Sequence, residues 1–342
     1  MNMSTNNPLK IVPFTNEERE EYKKLFTIDD DEHIHVGPSR YSMTATYAEH
    51  AANIYNMPLR SDDIVVASFP RSGTTWTQEL VWLIVNDLDY RQAKAIPLMA
   101  RYPFLELCML YKKETIEKLM KWNAGKPGGP QMVEKLSAPG YEVLANTMSP
   151  RFIKTHLPVS LLPLTLLDTC KTVYVARDPR DVAVSNYHFN KDNALYGLTA
   201  PFKDYFELFK KDLLVWSPYF EHVKEAWGLR HHPNMLFLFY ENLSKDLKGT
   251  ARRVAKFFGK SYSEEQLDQL CEFLRFDNFK KHDSADVKYF RDVGIFDPQE
   301  QNFIRKGKSG GWREYFDEEL AAQAQRWTDE NLWNTDLRFP SV

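Results

Sequence analysis

Three observations predict an α/β fold with a central, mostly parallel sheet flanked by helices. Short, nearly continuous apolar runs recur at Ile64–Phe69, Phe152–His156, Thr172–Ala176 and Met235–Tyr240, as in parallel strands buried on both faces. Helical patterns lie between and after these runs, so the strands belong to crossover units. The notable polar residues Arg71, Lys154, His156, Arg177 and Tyr240 sit at the carboxyl ends of the runs, where open α/β sheets bind ligands. The 342 residues are read as a single domain. Residues 1–60 are expected to be an irregular N-terminal segment, and residues 91–150 a long excursion.

Composition narrows the function class. Hydrophobic residues make up 43% and aromatic residues 14% of the chain, enough for a sizeable core. A net charge of -3 argues against a general nucleic-acid binder. Cys108, Cys170 and Cys271 lie far apart; no zinc spacing exists, no metal is expected, and the odd count suits reduced thiols. The stretch Met1–Pro8 lacks the apolar core of a signal peptide. No apolar run approaches the roughly 20 residues that span a bilayer. A cytoplasmic enzyme without a membrane or nucleic-acid partner is the expectation.

Taken in order, the first candidate is Asp29–Glu32 beside His33 and His35, read as a solvated acidic loop because no further metal ligand follows at a useful spacing. The strand at Ile64–Phe69 then runs into Pro70, Arg71, Ser72, Gly73, Thr74, Thr75 and Trp76. Loop amides and a helix N-terminus aim partial positive charge at one spot, and the hydroxyls add donors. The layout grips a phosphate-like anion. It is not a Walker A loop, because the first Gly and the Lys after the second Gly are missing. The following helix carries Trp76, Leu80, Leu83, Ile84 and Leu88 at helical spacing. Trp76 offers a flat face to a heteroaromatic base, or simply packs.

Within the excursion, Lys126-Pro127-Gly128-Gly129-Pro130 is the strongest break and is read as its tip. Lys154 and His156 end the next strand on one side of it; a base beside a cation suits proton removal next to developing negative charge, and a hydrogen-bonded structural His is the alternative. Arg177, at the end of Thr172–Ala176, and Ser185, in the next helix, can hold a second phosphate, whereas Arg180 and Asp181 read equally well as a surface pair and a helix cap. Residues 203–227 and 246–258 read as amphipathic helices. Phe303–Arg313 is a Gly-rich basic loop able to close over an anion.

These motifs together resemble the cytosolic sulfotransferases. Phe69–Trp76 is similar to that family's 5′-phosphosulfate loop, Lys154–Pro158 to its catalytic strand end, Tyr174–Phe189 to its 3′-phosphate element, and Arg305–Arg313 to its C-terminal cofactor loop. Arg101–Glu106 resembles the acceptor segment and Phe239–Glu241 another cofactor segment. The likeness runs over about residues 55–335, and Ala51–Arg60 with the long 105–150 segment resembles lepidopteran insect members, including the sulfotransferase-like retinol dehydratase.

The resemblance implies PAPS (3′-phosphoadenosine 5′-phosphosulfate) as donor and PAP as product. It implies that Arg71, Ser72, Gly73, Thr74 and Thr75 hold the 5′-phosphosulfate. Arg177, Ser185, Arg305, Lys306 and Gly307 would hold the 3′-phosphate. Trp76 and Phe276 would sandwich the adenine, with Tyr240 and Leu274 alongside. His156 would take the proton of an acceptor hydroxyl, and Lys154, Arg71 and Ser185 would serve the sulfuryl centre. Phe104 and Phe189 would line an apolar pocket for a small hydroxylated acceptor. The implied activity is sulfation of that hydroxyl; the alternative is sulfation of an allylic alcohol followed by loss of sulfate. The rival classes are a nucleotide binder without turnover and a P-loop kinase.

Departures from the family pattern are local. Arg71 stands where Lys is common and, hardly ever giving up a proton, is expected to act by charge alone. Arg313 replaces another usual Lys, and Leu274 replaces a frequent Thr. The vertebrate dimerisation pattern is absent from Arg313–Ala322, so that route to a homodimer is not expected and the oligomeric state is open.

Overall fold

The structure is a computed structural model; it describes residues 9–28, 32–282, 288–296 and 307–341. Four strands, β4 (Ile64–Ala67), β5 (Phe152–Thr155), β6 (Lys171–Ala176) and β7 (Met235–Phe239), form a sheet of order β5-β4-β6-β7 in which every pairing is parallel. Alternation along the strands sends side chains to two apolar layers. Val65, Ala67, Ile153, Tyr174 and Ala176 join one core, while Ile64, Val66, Phe152, Val173 and Val175 join the other. Both faces are therefore buried, which is why the strands read as unbroken apolar runs.

Register fixes where the chemistry emerges. Ala67 stands opposite Thr155 on one side and Tyr174 on the other. The residues just beyond, Ser68 to Arg71, His156 and Arg177, thus leave the sheet along one edge. The helix Thr74–Val85 follows β4 and the helix Pro179–Lys191 follows β6, so two helix N-termini open onto that edge.

The N-terminal expectation needs correction. The described residues of this segment, 9–28 and 32–60, carry regular elements: β1 (Ile11–Pro13), β2 (His33–Val36) and β3 (Tyr41–Thr44) make a separate antiparallel sheet, with helices at Asn16–Leu25 and Tyr47–Tyr55. All four residues of β2 are buried, histidines included. Polar strands are invisible to an apolar-pattern reading; here His35 is satisfied by the Glu18 carboxylate and the Arg40 carbonyl, each at 3.0 Å. Asp29, Asp30 and Asp31 lie outside the described residues, among which no group of three or more His, Cys, Asp or Glu forms a metal site.

Two helix expectations also change. The 203–227 window is two helices, Phe202–Lys210 and Tyr219–Gly228; between them Asp212 and Trp216 take positive φ, and Pro218, which lacks an N–H, stands just before the second helix. Leu88 lies past the end of Thr74–Val85 but stays buried. The 91–150 excursion is helical, and Gly128, at φ +71°, turns the chain between Lys113–Asn123 and Gly129–Ser137. That hairpin packs with Val293, Ile295 and Phe296 in a small third core.

Candidate active site

The loop after β4 holds two positions at positive φ. Arg71 has φ +68° and Gly73 φ +100°. Only glycine tolerates the second position, since a Cβ there would also lie 2.5 Å from the Tyr240 ring. The first helical bond is Thr77 N to Gly73 O, so the amides of Thr74, Thr75 and Trp76 have no acceptor within the helix. Thr74 Oγ1 lies 2.6 Å from Ser68 Oγ. Ser72 is fully buried, and its hydroxyl has no hydrogen-bond partner among the described residues.

Two guanidiniums face this loop. Arg71 Nε donates to Ser185 Oγ at 3.2 Å. Arg177 Nη1 donates to the Arg71 carbonyl at 3.2 Å and Nη2 to the Lys308 carbonyl at 3.0 Å, with its guanidinium 4.2 Å above the Tyr240 ring. Arg177 thereby joins the first loop to the C-terminal one. Asp181 strengthens that join: its carboxylate accepts from Gly310 N at 2.7 Å and Trp312 N at 2.9 Å. The surface-pair reading of Arg180 and Asp181 is therefore wrong. Asp178 caps the helix and takes the Arg180 guanidinium, while Asp181 reaches across to a loop more than a hundred residues away.

A cavity of about 220 Å³ runs from this loop to an aromatic chamber. Among its lining are Arg71, Gly73, Thr74, Thr75, Trp76, Lys154, His156, Arg177, Ser185, Tyr240, Phe276 and Gly307 from the expected set, together with Phe104 and Phe189. Ser72 and Leu274 stand behind the wall. Leu274 acts through its carbonyl, which accepts from Trp76 Nε1 at 2.8 Å and sets the indole plane. Gly307, at φ +62°, lies so close to Phe276 that a Cβ would sit 2.0 Å from its ring. Arg305 and Lys306 fall outside the described residues.

His156 is held at three points. Its amide donates to Glu106 Oε1 at 2.5 Å, its carbonyl accepts from His222 Nε2 at 2.8 Å, and its Nδ1 lies 2.8 Å from the Ser68 carbonyl. A carbonyl only accepts, so Nδ1 carries the proton and Nε2 keeps a lone pair. Burial, with Lys154 nearby, holds the imidazole well below the ordinary 6.5, so it stays neutral. Burial also pushes Lys154 down to about 8, against the opposing pull of Glu106. Lys154 Nζ lies 4.1 Å over the Phe104 ring, and the Arg71 guanidinium 5.0 Å over Phe189.

Glu106 was not legible as a site residue. Its carboxylate bridges Thr155 Oγ1 (2.9 Å) and the His156 amide, and burial pushes it up to about 7. The available signal was a lone acid inside the apolar run Phe104–Leu110. Ser68, Trp216 and the N-terminal aromatics Tyr22 and Phe26 were also missed. Trp216 packs edge-on to His156 at 5.5 Å, and Tyr22, on the helix Asn16–Leu25, and Phe26, just past its end, line the chamber. Asp181 is the one carboxylate among the described lining residues, and it sits at the loop end.

Comparison with known proteins accounts for this arrangement. The family model for the sulfotransferase domain matches residues 61–336. Luciferin sulfotransferase of Photinus pyralis is 34% identical over 315 residues, covering 88% of this chain and 80% of that protein. Sulfotransferase 1B1 of Canis lupus familiaris is 32% identical over 277 residues, covering 81% and 85% respectively. A solved structure of retinol dehydratase in complex with retinol and PAP superposes with a TM-score of 0.92 at 46% identity, covering 97% of this chain and 99% of that one. A second, with androsterone and the inactive cofactor PAP, gives 0.90 at 46% identity, covering 98% and 99%. With the anion loop, the strand-end His and the C-terminal glycine loop all inside the matched region, the chain belongs to the sulfotransferase family.

Proposed function

We propose that this sulfotransferase moves a sulfuryl group from PAPS to the hydroxyl of a small, largely apolar acceptor, leaving PAP. The observation that carries the reading is His156, neutral and with a bare Nε2, beside Lys154 in the chamber that is continuous with the anion loop. The donor set fits a nucleotide bearing two anionic ends. Helix amides, Arg71 and the loop hydroxyls would hold the 5′ end, and Arg177 and Ser185, with Arg305, Lys306 and Gly307, the 3′-phosphate. Trp76 and Phe276 would flank the base with Tyr240 beside it, and Leu274 would act from behind the wall by holding the Trp76 indole through its carbonyl. PAPS, when bound, supplies the activated sulfuryl group.

The chain's own residues then do four things. His156 Nε2 takes the acceptor hydroxyl proton as the oxygen becomes a nucleophile. Lys154 and Arg71 offset charge at the transfer centre, where positioning and cations do most of the work, as in phosphoryl transfer. Ser185 orients Arg71 through the Nε contact. Phe104, Phe189 and Trp216 exclude water from the chamber. We assign the whole chain to one catalytic domain, since residues from Phe14 to Leu337 share one core. We place the protein in the cytoplasm, in line with the cytosolic members of the family; among the described residues no helix is long and apolar enough to cross a membrane.

A second reading is favoured by the 46% identity to retinol dehydratase across 97% of the chain. An allylic alcohol sulfated in this chamber would then lose sulfate, giving a dehydrated product. Incubating the enzyme with retinol and PAPS and analysing the product decides between them. A stable sulfate ester supports simple transfer; an anhydro product supports elimination. No PAP formation with retinol or with any simple phenol would refute both.

A further inference from the structure

We propose that His222, held in place by Tyr174, is a positioning residue for the proton-accepting His156. β5 ends at Thr155, whose carbonyl is taken by Ser68 N at 3.3 Å. The next carbonyl, that of His156, is past the strand ladder and lies in the core. A buried carbonyl needs a donor, and His222 Nε2 supplies it at 2.8 Å. Since a carbonyl only accepts, the His222 proton is on Nε2 and its Nδ1 is an acceptor. Tyr174 O–H lies 2.7 Å from that Nδ1 and fixes this tautomer.

The chain Tyr174–His222–His156 carbonyl is wholly buried. Burial pushes His222 down to about 4, so the ring is neutral at pH values well above that. His222 also packs edge-on to Phe69 at 5.6 Å, two residues before Arg71. It thus touches both the backbone that aims the base and the strand end that feeds the anion loop. An apolar side chain could occupy the space, but only a donor that also accepts can serve both partners. The inference rests on the reading of His156 as the base, and the same logic governs residues that orient a catalytic imidazole elsewhere.

Steady-state kinetics on five variants test it. His222→Phe keeps an aromatic ring, somewhat larger, and removes both hydrogen bonds. It is expected to lower kcat about 10- to 100-fold with both KM values changed less than about twofold, since small misplacement of a reacting group has effects of that size. His222→Gln restores a donor and an acceptor and should recover to within about fivefold of wild type. Tyr174→Phe should fall between the two. Adding it to His222→Phe should cost nothing more, because the two act in one chain. Full kcat in His222→Phe, or equal losses in the Phe and Gln variants, overturns the proposal. If His222→Phe does not fold, wild-type kcat in Tyr174→Phe overturns it instead. His156→Ala separates the premises: retained activity there refutes the base itself, whereas an inactive His156→Ala beside a fully active His222→Phe refutes only the positioning role.

Discussion

Replacing Glu106 by Gln should make the protein more stable at pH 8 while slowing it. Glu106 is fully buried, and its carboxyl is raised from 4.5 to about 7, chiefly by burial. A folded-state pKa above the unfolded one means the native state binds the proton more tightly. The stability this contributes is fully present below 4.5 and is lost as pH rises through about 7. At 1.36 kcal/mol per pH unit, holding the charged form inside the fold costs about 3 kcal/mol. Gln is a neutral mimic of the protonated acid. Its oxygen can accept the His156 amide and its amide group can donate to Thr155 Oγ1, which already accepts from Leu157 N at 3.0 Å. The Thr155 proton then loses its partner, at about 1 kcal/mol.

The variant should therefore be about 2 kcal/mol more stable than wild type at pH 8, and about 1 kcal/mol less stable at pH 4.5. Urea unfolding at both pH values measures this. Catalysis should move the other way. The Glu106 charge is what opposes the depression of Lys154, already at about 8, so removing it leaves less Lys154 charged near neutral pH. A fall in kcat of about tenfold is expected. A variant that is less stable than wild type at pH 8, or a stability difference that does not change with pH, would refute the reasoning.

Other perturbations test the remaining parts of the site. His156→Ala should lower kcat by about 10²- to 10⁴-fold while PAPS binding by calorimetry persists. In wild type the base is bare above its folded pKa, which lies below 6.5, so the acid limb of kcat/KM should fall below that pH; a limb above it contradicts the assignment. Gly307→Ala would put a Cβ 2.0 Å from the Phe276 ring at φ +62°, and should weaken PAPS binding at least about tenfold with little change in fold, read by calorimetry and circular dichroism. Arg71→Lys retains the charge but loses the directed Nε contact to Ser185. It should change the single-turnover rate by up to about tenfold; lost donor binding with an unchanged chemical step would count against an electrostatic role for Arg71.

Much of this site was legible because its parts are contiguous. Arg71 to Trp76 encode a strand end, a turn and a helix N-terminus within a few residues, so local sequence carries the geometry. The parallel strands were legible because both faces are buried. The N-terminal sheet was not, because its His and Ser positions are buried by hydrogen bonding, which leaves no apolar period. Asp181 was misread for a similar reason: its partners, Gly310 and Trp312, are far along the chain.

By itself, then, the sequence determined the α/β class, the strand–turn–helix layout at Arg71–Trp76 and the shared strand end of Lys154 and His156, since each depends on short-range backbone preference and strand alternation. Only the tertiary structure decided the surroundings of His156. Its partners Glu106, Ser68 and His222 are 50, 88 and 66 residues away. Tautomer, charge state and aim are set by hydrogen bonds and desolvation among groups that meet only when the sheet edge and its covering helices assemble.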